Sequence, residues 1–220
     1  KFFTREGGLG SSDIRDIIDL VDEVEELPQG SIATIEVKSI FERYNRHLVE
    51  LIRKGSGSGK EKPLEGLHII VDAGNGAGGF YAEKVLEVLG ANTEGSQFLE
   101  PDGTFPNHIP NPDNKEAMES IKNRVLAVGA DYGVIFDTDV DRAAVVTGNG
   151  ELLNRNNLIA VLSVIAISEH PGTTIVTNSP TTEHLKRFIT ELGGHQYRYI
   201  SGYRNVINKA IELNEAGTDC

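Results

Sequence analysis

From Leu64 onward, short apolar runs alternate with longer stretches of helical periodicity, and this alternation restricts the fold more than any other feature. Residues 67–71, 132–136, 143–146 and 173–177 read as strands, with 97–99 as a weak strand and 196–200 as strand-like. Between and after them the spacing predicts helices over 80–89, 113–128, 154 or 156–167, 182–192 and 206–213. Strands joined by helical crossovers argue for a largely parallel sheet covered on its faces. Before Leu64 the pattern differs. A strand-like start (1–4) and a glycine turn precede a helix capped by Ser11 or Ser12, with Ile14, Ile17, Ile18 and Val21 at helical spacing. A second amphipathic helix carries Phe41, Tyr44, Leu48 and Leu51. The run Gly55-Ser56-Gly57-Ser58-Gly59 then reads as a flexible linker and marks a domain boundary.

Composition narrows the class of protein. The chain has 220 residues, 39% hydrophobic and 25% charged, which is ordinary for a globular protein. Its formal net charge of −12 opposes binding to nucleic acid or to anionic membrane surfaces, so neither is expected as a partner. The longest apolar stretch, 158–167, is too short to cross a bilayer and reads as a buried helix. No initiator Met or signal peptide is present, and the abrupt Lys-Phe-Phe start reads as that of a trimmed chain. The one cysteine, Cys220, completes no disulfide or thiolate site, which suits a reducing cytoplasm.

Three segments carry chemistry. Asp137-Thr138-Asp139-Val140-Asp141-Arg142 follows the apolar run ending at Phe136. Ligands of α/β sheets collect at the carboxyl ends of strands. Three carboxylates at alternate positions of a tight loop there suit a hard cation such as Mg²⁺. Arg142 adds a planar, permanently charged donor fit for phosphate. An EF-hand would need Gly and Glu where Arg142 and Gly148 stand, so that reading is rejected. A haloacid-dehalogenase-type phosphatase, with Asp137 as nucleophile, matches at Asp137 and Asp139 but has Asp141 at its Thr or Val place. It stays as an alternative. The second segment, 72–79, contains Gly74, Gly76 and Gly79 in a Gly-x-Gly-x-x-Gly pattern after a strand. That pattern fits either a dinucleotide site or a tight turn whose glycines allow close packing. The packing reading is favoured, because Asp72 would repel a pyrophosphate. The third, 101–112, is stiffened by Pro106, Pro110 and Pro112. Its His108 reads either as a ligand-binding group or, more commonly, as a structural histidine.

Together these segments resemble the α-D-phosphohexomutases. Residues 137–142 are similar to that family's metal loop, usually Asp-Gly-Asp-x-Asp-Arg, with Thr138 at the Gly position. Residues 105–112 are similar to its Phe-Pro-Asn-His-x-Pro-Asn-Pro loop, and 72–79 to the Asp-x-x-Asn-Gly-x-Gly turn that opens its second domain. The resemblance implies a four-domain cytoplasmic enzyme of carbohydrate metabolism. It would move a phosphoryl group between the C1 and C6 oxygens of a hexose phosphate, through a phosphoserine and a bisphosphorylated sugar, with Mg²⁺ as cofactor. It implies metal ligands Asp137, Asp139 and Asp141, catalytic roles for Lys1 and Arg142, and substrate contacts from Tyr203 and Arg204. The implied fold class is α/β: tandem α/β domains with mixed, largely parallel sheets in three α/β/α layers, one complete domain flanked by partial ones. Residues 1–54 would be the C-terminal part of domain 1, 55–61 a linker, 62–171 domain 2 and 172–220 the N-terminal part of domain 3. The sequence departs from the family in holding no Thr-Ala-Ser-His-x-Pro serine loop; Ser168-Glu169-His170-Pro171 resembles one only superficially. A chain without that loop is expected to lack turnover by itself, and a non-catalytic fragment or scaffold is a second alternative.

Overall fold

The computed structural model describes residues 3–5, 7–24, 30 and 38–220. In chain order the elements are β1 (Phe3–Thr4), β2 (Gly7–Gly8), α1 (Ser11–Glu23), α2 (Phe41–Gly55) and β3 (Ile69–Asp72). Then follow α3 (Lys115–Val128), β4 (Tyr132–Phe136), β5 (Ala143–Thr147), α4 (Arg155–Glu169), β6 (Thr174–Asn178), α5 (Glu183–Glu191), β7 (His195–Tyr199) and α6 (Tyr203–Glu215). The chain forms two compact units, Glu36–Leu153 and Lys1–Ile35 with Asn154–Cys220. They group α2 with the middle of the chain and α4 with its end, so they cut the sequence at other points than 54, 62 and 171.

In the middle unit the sheet order is β3-β4-β5. β3 and β4 run parallel, Ile69 opposite Tyr132 and Asp72 opposite Ile135, while β5 returns antiparallel with Ala143 opposite Phe136. Parallel pairing requires a long crossover, which the chain supplies through α3. Because successive strand residues face opposite sides, the sheet has two apolar faces. Ile70, Ile135 and Val146 pack with Ala117, Ile121 and Val125 of α3. On the other side Ile69, Val71 and Phe136 pack with Ala82 and Leu86. Each such fully buried aliphatic side chain contributes roughly 1.5–3 kcal/mol. A further layer forms where Val49 of α2 meets Val85 and Leu89.

The segment expected as a helix over 80–89 is less regular. It opens as a 3₁₀ turn (Ala77–Gly79) and continues as a π-helical stretch (Ala82–Leu86), with Glu87 N donating to the Ala82 carbonyl. At its start Gly79 lies against the Leu99 backbone, where a side chain would find no room. The expected strand at 97–99 is likewise reduced to one bridge, Asp72 with Gln97.

Helix starts elsewhere are set by side-chain caps. Asn114 Oδ1 accepts from Ala117 N, Asn154 Oδ1 from Asn157 N and Thr182 Oγ1 from Leu185 N. Each cap stabilises its helix by about 1 kcal/mol. In the other unit β6 and β7 pair in parallel, Thr174 opposite His195. Ile167 of α4 packs with Leu185 and Ile189 of α5. The β1–β2 hairpin is tied to α6 through Gly8 N, which donates to Asn208 Oδ1 at 3.1 Å. Among the described residues, no helix is long and apolar enough to cross a membrane.

Candidate metal and phosphate site

The end of β4 positions the candidate site. β4 is the central strand, so its last residues are fixed on both edges by ladder hydrogen bonds. Asp137 follows directly and is 1% exposed, whereas Asp139 and Asp141 stand out in solvent. The loop closes on itself, with Asp137 N donating to the Arg142 carbonyl at 3.1 Å and Val140 N to the Asp137 carbonyl at 3.3 Å. Val140 has a left-handed backbone (φ 62°) and its side chain packs on the cluster around Phe136. With Val140 turned inward, one carboxylate oxygen from each of Asp137, Asp139 and Asp141 lies within 4.8 Å of the others. Opposite ligands of an octahedral Mg²⁺ stand about 4.2 Å apart, so small rotations bring all three onto one ion. An all-carboxylate donor set also suits a hard cation.

Arg142 is fastened to the same loop. Its backbone N–H donates to Asp137 Oδ1 and its Nε to Asp137 Oδ2, both at 2.9 Å. Nη1 donates to Asn111 Oδ1 at 3.0 Å, and Asp141 Oδ1 is 3.5 Å from Nε. The hydrogen bond to Asp137 holds the guanidinium's pKa above its usual value, aided by the nearby charges of Asp141 and Asp113. Half of the side chain remains exposed. It is therefore oriented, charged and open to an anion. Asn111 belongs to the 105–112 loop singled out in the sequence, but its partner Arg142 lies 31 positions away and is not signalled there.

Next to the loop, the glycine turn after β3 serves packing. Asp72 accepts from Gly74 N at 2.9 Å, and Ala77 N is occupied by the Thr138 carbonyl at 2.9 Å. Those amides face protein acceptors. His108 is likewise structural in its contacts, with Nε2 3.0 Å from both oxygens of buried Asp72 and Nδ1 3.1 Å from the Ile109 carbonyl. An open groove of about 570 Å³ borders the carboxylate loop at Thr138, with Phe41, Phe80, Leu99 and Phe105 among its walls.

The structure thus brings together Asp137, Asp139, Asp141 and Arg142. Tyr203 and Arg204 belong to the other compact unit, at the start of α6. There Tyr203 lies near the Phe3 ring (6.0 Å), and Arg204 Nη1 donates to the Leu9 carbonyl at 3.2 Å. Lys1 lies outside the described residues.

Comparison with known proteins adds an independent line. Residues 42–150 match the family model described as phosphoglucomutase/phosphomannomutase, alpha/beta/alpha domain II. The chain is 33% identical over 183 residues to a phosphomannomutase/phosphoglucomutase of Pseudomonas putida, an alignment covering 83% of this chain and 37% of that protein. With a phosphoglucomutase of Neisseria gonorrhoeae it shares 31% identity over 175 residues, covering 80% and 35% respectively. Among solved structures, a phosphoglucomutase/phosphomannomutase family protein from Burkholderia thailandensis superposes with a TM-score of 0.77 at 28% identity, covering 96% of this chain and 43% of that one. The chain thus spans well under half the length of these relatives.

Proposed function

Since the chain belongs to the α-D-phosphohexomutase family, we propose that it supplies the metal-holding region of an enzyme that moves a phosphoryl group between the C1 and C6 oxygens of a hexose. The observation that carries this reading is the convergence of Asp137, Asp139 and Asp141 beside an oriented Arg142. In it, the three carboxylates hold Mg²⁺. Held there, Mg²⁺ would supply positive charge against phosphoryl oxygens. Arg142 offers the guanidinium hydrogens not directed at Asp137 and Asn111 to the same oxygens. Lys1 steadies the phosphoryl group or carries a proton, Tyr203 meets a sugar hydroxyl, and Arg204 meets a phosphate. The substrate is a hexose phosphate, and the names of the relatives favour glucose or mannose over glucosamine. We read 1–54, 62–171 and 172–220 as parts of three successive family domains, the middle one complete, in a cytoplasmic protein. With no serine loop of the family type in its sequence, the chain by itself has no phosphoryl donor and no turnover.

Calorimetric titration with Mg²⁺ tests the reading at its base. The wild-type chain should bind weakly, and Asp139→Ala should bind at least about tenfold more weakly, a difference of about 1.4 kcal/mol. Equal heats from both proteins would remove the metal site.

A further inference from the structure

We propose that Asn111 is a positioning residue for Arg142, and that the buried Asp72–His108 pair is what holds Asn111 in place. The inference rests on the reading of Arg142 given above, and it concerns how that side chain is held. Arg142 is long and half exposed, so ion pairs at Nε alone leave most of its rotamers open. Its Nε contact to Asp137 fixes one end of the guanidinium and the Nη1 contact to Asn111 fixes the other. Two contacts on a planar group set its plane as well as its place.

Asn111 is itself held firmly. Its Oδ1 also accepts from Asp113 N at 3.0 Å, the turn by which an Asn side chain locks its own backbone. Asn111 N donates to the Ile109 carbonyl at 2.8 Å, and Asn114 N donates to the Asn111 carbonyl at 2.8 Å. Pro110 and Pro112 fix φ on either side. The loop is anchored three residues earlier. The His108 side chain is 4% exposed and bonded to Asp72, which is wholly buried at the end of β3. A carboxylate only accepts, so His108 Nε2 is the donor of that bond. Gln97 Nε2 holds the second Asp72 oxygen at 2.7 Å, and the Phe98 ring stands edge-on to the imidazole at 5.4 Å. A rigid path therefore runs from the end of β3, through the proline loop, to the guanidinium beside the end of β4. Both strand ends belong to one sheet, which keeps the two anchors of Arg142 at a constant separation.

Nuclear magnetic resonance of the ¹⁵N-labelled chain tests this. The Arg142 Nε–Hε signal is assigned by its loss in Arg142→Lys. In Asn111→Ala, solvent exchange of that proton should rise about tenfold, and Asn111→Asp should restore it to within about twofold. Asn111→Ser separates the two duties of the residue. Its hydroxyl can still accept from Asp113 N but is too short to reach the guanidinium, so the turn should persist while protection of Arg142 is lost. Unchanged exchange in both Asn111→Ala and Asn111→Ser would overturn the proposal. A titration with inorganic phosphate keeps the two readings apart. If Asn111 controls the Arg142 signal but phosphate never moves it, positioning stands and the phosphate role of Arg142 fails. If phosphate moves it equally in wild type and Asn111→Ala, with equal affinity and equal exchange, the positioning role fails alone.

Discussion

Asp72 and Asp137 end neighbouring parallel strands, and both are closed off from solvent, at 0% and 1% exposure. Their surroundings give them different duties. Asp72 is enclosed by donors: His108, Gln97 and the Gly74 amide. Asp137 is met by Arg142, but it also shares its loop with two exposed carboxylates, Asp139 and Asp141. The first arrangement satisfies a buried charge within the protein. The second gathers negative charge that the protein only partly neutralises, which is how a sheet end becomes a site for a cation. The turns differ in the same sense. After β3 the left-handed positions are Gly74 and Asn75, residue types that adopt φ > 0 with little strain. After β4 the left-handed position is Val140, a β-branched residue for which this backbone is strained by roughly 1–3 kcal/mol. One turn is relaxed and the other is held.

The largest effect should come from breaking the satisfied side. Asp72→Ala leaves the buried His108 Nε2 without its acceptor and takes one of two acceptors from Gln97 Nε2, which keeps Ser120 Oγ, and urea unfolding should show a loss of about 2–4 kcal/mol. Asp139→Ala, on the exposed side, should change stability by no more than about 0.5 kcal/mol. Similar losses from the two variants would erase the distinction between scaffold and site.

A smaller effect is expected at Val140. Val140→Gly relieves the left-handed strain but surrenders packing on the cluster around Phe136, so stability should stay within about 1 kcal/mol of wild type. The carboxylates would lose the wedge that turns them to one side, and Mg²⁺ affinity should fall about threefold, or roughly 0.7 kcal/mol. A glycine variant that kept full affinity would show that the strain is incidental to the loop.

The division between what the sequence reveals and what it hides follows from distance along the chain. The carboxylate loop was legible because strand, turn and ligands occupy eleven consecutive residues, from Tyr132 to Arg142. Most helices and strands were legible from periodicity, with ends displaced by at most three residues; the helix expected from Asp113, for example, begins at Lys115 behind its Asn114 cap. The 3₁₀ and π turns of the 77–89 segment were not, and neither was the approach of Gly79 to the Leu99 backbone, twenty positions away. The partners of Asp72 and Arg142 were hidden for the same reason, with His108 and Asn111 separated from them by 36 and 31 positions. The loop between was marked in the sequence as stiff, but nothing local says what it is stiff against.

The smallest effect is a titration, and it asks whether the loop can be altered without disturbing the strand beneath it. The Tyr81 ring packs edge-on against Phe136, the residue before Asp137, at 5.3 Å. Burial pushes the Tyr81 phenol above its ordinary value, with Tyr44 adding to the shift. On unfolding, that phenol returns to the ordinary range near pH 10. The unfolded chain therefore gives up the proton first as pH rises. The contribution to stability is fully present below the unfolded value and is lost as pH climbs through the folded one. A phenolate absorbance difference between wild type and Tyr81→Phe isolates this group from the other tyrosines. Asp139→Ala should leave the difference curve where it is, because the burial that causes the shift belongs to the sheet and not to the exposed loop. A curve moved down toward the ordinary range in Asp139→Ala would mean that the carboxylates help to hold β4 closed. The contrast between a satisfied strand end and an open one would then be a difference of degree.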